Sequence, residues 1–223
     1  MNFLAHYQLA ADLETSPHFF AGAILPDIAK RAGFSTPNSL LKDQQSAYIK
    51  LYNGLKFHLE SDRFFHNSFL FKEGMEQWKT GLDEKRLKSS KTFFLHHLLF
   101  EMWLDRILLH ENPEAGIEMY QNLERLESHF LNQFSRSFYT DETGKIQTVF
   151  EGFLQRKFVL SYTSDIHFNQ IAKGVFENVT NQKTQPELLE ILGEKLLEME
   201  TRKSQFFSHW NEFKSDFFKS SAH

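Results

Sequence analysis

The sequence predicts an all-α fold, a single-domain helical bundle, and three observations carry that expectation. With 5 Pro and 10 Gly in 223 residues, few positions break a helix. Apolar residues recur in steps of three and four along most of the chain, the spacing that lines one face of a helix. The balance of 41% hydrophobic to 24% charged residues is that of a globular chain, long enough to bury a sizeable core without a disulfide or metal staple.

Element by element, residues 2–13 place Phe3, Leu4, Tyr7 and Ala10 or Ala11 on one stripe, with Asn2 positioned to cap. A second short helix is expected over 17–28, then a loop over 32–38 containing Gly33, Ser35, Thr36 and Pro37. Residues 37–73 can form one long helix or two stacked ones, with Gly54 as the weak point. Residues 74–90 read as polar and irregular and carry Lys85, Arg86 and Lys88, with Lys91 just beyond. A strongly apolar helix follows over 92–110 and stops near Asn112 and Pro113. Further helices are expected over 114–135, 147–160 and 164–179, with a DETG turn at Asp141 to Gly144. Residues 186–218 predict one long terminal packing helix with Pro186 in its first turn and an apolar set of Leu189, Leu192, Leu196, Phe206, Trp210, Phe213 and Phe217.

Charge and composition exclude several classes of function. Lys plus Arg total 25 against 29 acidic residues, a net charge of -4, which leaves no global footprint for nucleic acid. The absence of cysteine removes thiol nucleophiles, zinc ribbons and redox motifs and fits a reducing cytoplasm. The first residues have neither a basic segment nor an unbroken apolar run, and no stretch reaches the ~20 apolar residues of a membrane span, so a cytoplasmic protein with no membrane insertion is expected. No Gly-rich phosphate loop, G-x-S-x-G elbow, H-E-x-x-H or dinucleotide fingerprint is present.

Two strips carry the chemistry that remains. In GLKFHLESDRFFHN, His58, Asp62 and His66 are spaced at i, i+4 and i+8 and share one helix face. In FLHHLLFEMWLDRILL, His97, Glu101 and Asp105 repeat that spacing on a helix that is apolar nearly all round. Burying such ionisable groups costs several kcal/mol unless they meet each other, other polar groups or a cation. Imidazole nitrogen and carboxylate oxygen suit Mn, Fe or Zn. Asp27, just behind Pro26, reads either as a third functional carboxylate or as a cap or turn residue, and His6 either as part of a site or as a hydrogen-bonded core histidine. The residues by themselves allow metal-assisted hydrolysis, in which a cation acidifies bound water while a His or carboxylate moves protons. They equally allow His97 and Glu101 to be an internal hydrogen-bonded pair.

The opening MNFLAH with its following LA, the GAILPDIAKR segment, the GLKFHLESDRFF helix, the FLHHLLFEMWLDRIL helix and VLSYTSDIHFNQIAKGV occur in an order that resembles the acyl carrier protein phosphodiesterases. These are a divergent, all-helical branch of the HD phosphohydrolases. The resemblance implies an HD-phosphohydrolase-like bundle that hydrolyses the phosphodiester joining 4'-phosphopantetheine to a serine of holo-acyl carrier protein, with Mn or Mg as cation and Fe or Zn as alternatives. His6, Asp27, His58 and Asp62 stand here with the family's residue type. His66 and His97 stand where the family has Asp, Glu101 and Met102 where it has an Asp-His pair, Lys56 where a His is common, and Asn178 near an expected Arg. The HD pair is therefore broken at Met102.

The resulting expectation is one cation held by His58, Asp62, His66, His97 and Glu101, with Asp27, Asp62 and His6 in catalytic roles. Lys30, Arg31 and Lys56 are expected on the side of the acidic carrier protein, with the 85–91 basic run available to the same surface. Because Met102 removes a ligand, two alternatives stay open: a scaffold that binds a carrier protein or pantetheine ligand without turnover, and a hydrolase of another phosphodiester.

Overall fold

The computed structural model describes residues 1–36, 48–79, 92–181, 183 and 186–221. The described residues form helices joined by short turns, without strands. The helices are α1 (Phe3–Ala11), α2 (Pro17–Arg31), α3 (Ile49–Asn67), α4 (Phe69–Lys79), α5 (Thr92–Glu111), α6 (Pro113–Glu124), α7 (Ser128–Tyr139), α8 (Lys145–Arg156), α9 (Asp165–Thr180), α10 (Pro186–Glu200) and α11 (Lys203–Ser221), with a 3-10 turn at Phe158–Thr163. Among the described residues, no helix is long and apolar enough to cross a membrane.

The chain divides into two compact units, one of Met1–Asp62 with Asn112–Leu160, the other of Arg63–Glu111 with Ser161–His223. In the first, α2 packs on α1, α6 and α8, and α7 on α8. Its core holds Phe3, Leu4, Leu9, Ile24, Ile28, Leu55, Tyr120 and Phe153, all essentially buried, and the Phe3 and Phe153 rings meet at 4.6 Å. Each such fully buried apolar side chain contributes roughly 1.5–3 kcal/mol. Asp141 closes the turn before α8: its carboxylate accepts from the Ile146 N–H at 2.7 Å and from the Thr143 hydroxyl at 2.8 Å.

In the second unit α5 packs on α4, α9 and α11, and α9 on α10. Phe65, Trp78, Leu95, Phe100, Trp103, Phe206 and Trp210 are buried there. Gly74 lies inside α4, where an added Cβ would enter the Phe100 ring; the polar irregular stretch expected from residue 74 is helix up to Lys79 because this glycine serves packing. The basic residues at 85, 86, 88 and 91 lie outside the described residues. Buried Arg106 ties three elements together, donating to the Tyr162 carbonyl at 2.6 Å, to Glu200 at 2.7 Å and to Asp165.

Two expected helices are each divided. The 114–135 stretch breaks after Glu124, where Arg125 and Leu126 donate back only three residues, to Asn122 and Leu123, tightening the turn to 3-10 geometry and ending α6. The terminal helix breaks at Thr201 and Arg202 in the same way, and the Thr201 hydroxyl takes the Glu198 carbonyl at 2.7 Å, competing with the helical ladder. Phe206, Trp210, Phe213 and Phe217 of α11 are buried, as are Leu192 and Leu196 of α10, which agrees with a packing role; the Leu189 side chain lies outside the described residues.

Candidate functional site

The first unit builds its site on a close helix crossing. A Cβ on Gly22 of α2 would run into the Leu51 carbonyl of α3, and a Cβ on Gly54 would run into the Phe19 carbonyl. With hydrogen at both positions the two backbones touch, and His58 comes against α2. Gly54 therefore marks a contact inside a continuous helix. His58 donates from Nδ1 to the Ala23 carbonyl at 2.7 Å, since a carbonyl can only accept; the neutral ring then carries its lone pair on Nε2.

His6, fully buried in α1, is oriented similarly. The Ser61 hydroxyl donates to the His58 carbonyl at 3.1 Å, so its oxygen accepts from His6 Nδ1 at 3.3 Å and the His6 lone pair also falls on Nε2. The two imidazoles stack, with centroids 3.9 Å apart and planes 25° apart. One ligand atom from each of His6, Asp27 and His58 lies within 4.8 Å of the other two.

Asp27 is neither a cap nor a turn residue. It sits inside α2, half-buried, one residue after Pro26. Asp62 borders the group: its carboxylate lies 3.9 Å from His6 Nε2 and accepts from the Met1 amine at 2.6 Å. Burial raises the Tyr139 phenol well above its ordinary value, with the Thr36 hydrogen bond opposing and the charge of Asp27 adding to the shift, so Tyr139 stays protonated.

The second unit holds His66, His97 and Glu101, again with one ligand atom each within 4.8 Å. His97 and Glu101 face each other across one turn of α5, Nε2 to Oε1 at 2.6 Å. His66, near the end of α3, brings its Nε2 to 3.0 Å from His97 Nε2 and 3.4 Å from Glu101 Oε1. Phe71 of α4 stands edge-on to both rings, at 4.7 Å from His66 and 5.1 Å from His97. Burial pushes the Glu101 carboxyl upward, yet it is held well below the usual range, the hydrogen bonds from His66 and His97 being among the causes.

The residues expected around one cation are thus gathered into two groups, because His58 finds its partners on α1 and α2 and His66 finds its own on α5. Asp62 belongs to neither group, and Asp105, although buried, joins neither. Met102 is buried at 4% exposure. Lys30, Arg31 and Lys56 are exposed, with the Arg31 guanidinium over the Phe3 and Phe158 rings. Ser61, Tyr139 and Phe71 went unmarked in the sequence because an outer partner has no spacing signature of its own. A cleft of about 200 Å³ in the second unit, lined among others by Phe69, His209, Glu212 and Asp216, contains no member of either group.

Comparison of the chain with family models, with curated proteins and with solved structures gives no match.

Proposed function

We propose that this chain is a metal-dependent phosphodiester hydrolase whose centre is the His6, Asp27 and His58 group with Asp62 at its edge, and that its substrate is holo-acyl carrier protein, from which it releases 4'-phosphopantetheine. The observation that carries the reading is the pair of outer hydrogen bonds, His58 Nδ1 to the Ala23 carbonyl and His6 Nδ1 to Ser61. Metal-binding histidines are characteristically fixed in this way, one nitrogen tied to an oxygen and the other left to ligate. The donor set of two imidazoles and a carboxylate fits Mn, Fe or Zn and accepts Mg less well. The substrate class rests on the sequence resemblance.

A divalent ion there would acidify a bound water and neutralise charge on a phosphoryl oxygen. Asp62, with 30% of its side chain exposed, is the carboxylate at the open edge and takes up the proton of the attacking water. Lys30 and Lys56 offer exposed positive charge to an acidic carrier protein, and Arg31 offers a guanidinium that lies over two rings.

The test is the intact mass of holo-acyl carrier protein incubated with the protein and Mn, with a chelator control. Metal-dependent conversion to the apo form, lost in His58→Ala and Asp62→Asn, is the expected result; persistence of the holo form with each of Mn, Mg, Fe and Zn would overturn the substrate. The burial of His6 at 0% and His58 at 5% exposure favours a second reading, a scaffold that binds the holo-carrier protein without turnover. Complex formation without a mass change would establish it.

A further inference from the structure

The second group is not needed by that reading, and its atoms pose a problem of their own. Three contacts of 2.6, 3.0 and 3.4 Å join Glu101 Oε1, His97 Nε2 and His66 Nε2 in one triangle. An ionised carboxylate only accepts. For His97 to bond it, His97 Nε2 must carry a proton, and that nitrogen then has no lone pair to receive one from His66. If His66 donates to His97 instead, two bare lone pairs face each other at 2.6 Å. Both imidazoles can instead donate from Nε2 to the one carboxylate oxygen, their nitrogens then touching without bonding; with both Nε2 atoms deprotonated, the same triangle offers three donor atoms to a single cation.

The triangle has the dimensions for the cation. Three mutually cis ligands at the ~2.1 Å bond length of first-row divalent ions are about 3.0 Å apart, the middle of the observed range. An ion held by these three atoms would have further positions for water or an anionic ligand. Exposure of the side chains rises from 9% for Glu101 through 20% for His97 to 30% for His66, so the carboxylate anchors the inner corner and the histidine side is reached from water. Phe71, edge-on to both imidazoles, restricts their rotation and surrounds the ligands with apolar surface.

We propose that His66, His97 and Glu101 form a cation site of their own, a facial triad of two imidazoles and one carboxylate that takes a first-row ion such as Fe(II), Co(II) or Zn, in preference to Mg or Ca, and leaves positions open for water or an anionic ligand. Nitrogen-rich donors set that preference, because Mg and Ca favour oxygen. The sequence led to the expectation of one cation shared by these three residues with His58 and Asp62; a separate site on His66, His97 and Glu101 goes beyond that expectation.

The test is a Co(II) titration of the full-length protein, following visible absorption, with bound equivalents counted by equilibrium dialysis. His97→Ala and Glu101→Gln are each expected to remove one equivalent, with affinity there falling by more than the ~10–100-fold that outer partners alone carry, while excess Mg leaves the binding unchanged. His58→Ala is expected to leave that equivalent in place. Circular dichroism confirms folding; Glu101→Gln preserves side-chain volume if His97→Ala does not fold. Co(II) binding indifferent to both substitutions would overturn the proposal, as would displacement by Mg. Binding that His97→Ala abolishes and His58→Ala leaves untouched would support this site while removing the metal from the proposed hydrolytic centre, so the two readings fail separately.

Discussion

The two histidine–carboxylate groups use the same donors, two imidazoles and one carboxylate, and differ in what surrounds them. In the first unit the rings stack face to face at 3.9 Å, and each Nδ1 is tied outward to an oxygen. In the second unit the rings meet edge-on at 4.7 Å and 74°, their Nε2 atoms lie 3.0 Å apart, and Phe71 packs edge-on to both. The first group is oriented by outer polar partners, so its geometry should be sensitive to the loss of a single hydroxyl. In the second, the contacts among the three ligand residues and the Phe71 ring hold the imidazoles, so it should respond strongly to loss of a ligand.

The largest effect that would break this contrast is expected from Gly22→Ala. A methyl against the Leu51 carbonyl has no flexible side chain to displace, so α2 and α3 must separate; we expect a loss of about 3 kcal/mol and of cation binding at His6, Asp27 and His58. Calorimetry gives the first and dialysis with His97→Ala as background the second; an unchanged transition would show that the crossing is not needed. In the other unit Arg106→Met removes the donor to the Tyr162 carbonyl and to two carboxylates. A cost of about 2–3 kcal/mol is expected by urea unfolding, with Co(II) still bound at Glu101.

Ser61→Ala tests the outer hydrogen bond directly. It should weaken the cation at the first group by ~10–100-fold and leave the second unchanged; equal weakening at both would erase the contrast. For Asp141, burial raises its carboxyl but the Ile146 and Thr143 bonds outweigh it and hold it below the ordinary 3.8. A depressed carboxyl stabilises the fold above its unfolded value and ceases to do so as pH falls through the lowered one. Asp141→Asn should therefore cost about 1 kcal/mol near neutrality and flatten the loss of melting temperature below about pH 4. The smallest effect on stability, within about 0.5 kcal/mol, is expected from Lys30→Glu, which should nonetheless slow carrier-protein association in low salt.

Most helices were legible because their signal is local. The stripe of Phe3, Leu4 and Tyr7, the Pro17 and Pro113 starts and the apolar run of α5 each declare a helix within a few residues. The ligand candidates were legible for the same reason, as residue types with helical spacing. The strips nevertheless misdirected their grouping: His58 and His66 share α3, but the atoms that complete each group come from other helices. Asp27 read either as a functional carboxylate or as a cap or turn residue behind Pro26; the structure carries α2 through that proline to Arg31 and so removes the second alternative.

What the sequence by itself determined is the helical architecture, the helix starts at Pro17, Pro113 and Pro186, and the set of imidazoles and carboxylates available for chemistry. What only the tertiary structure decided is which of them meet. That outcome depends on glycines whose importance is invisible in a single chain: Gly54 reads as a weak point and Gly74 as a helix end, yet one seats α3 on α2 and the other admits the Phe100 ring beside α4. Periodicity records which way a side chain faces from its own helix, and convergence of ligand atoms is fixed by how closely two backbones approach, which is set by the absence of a side chain.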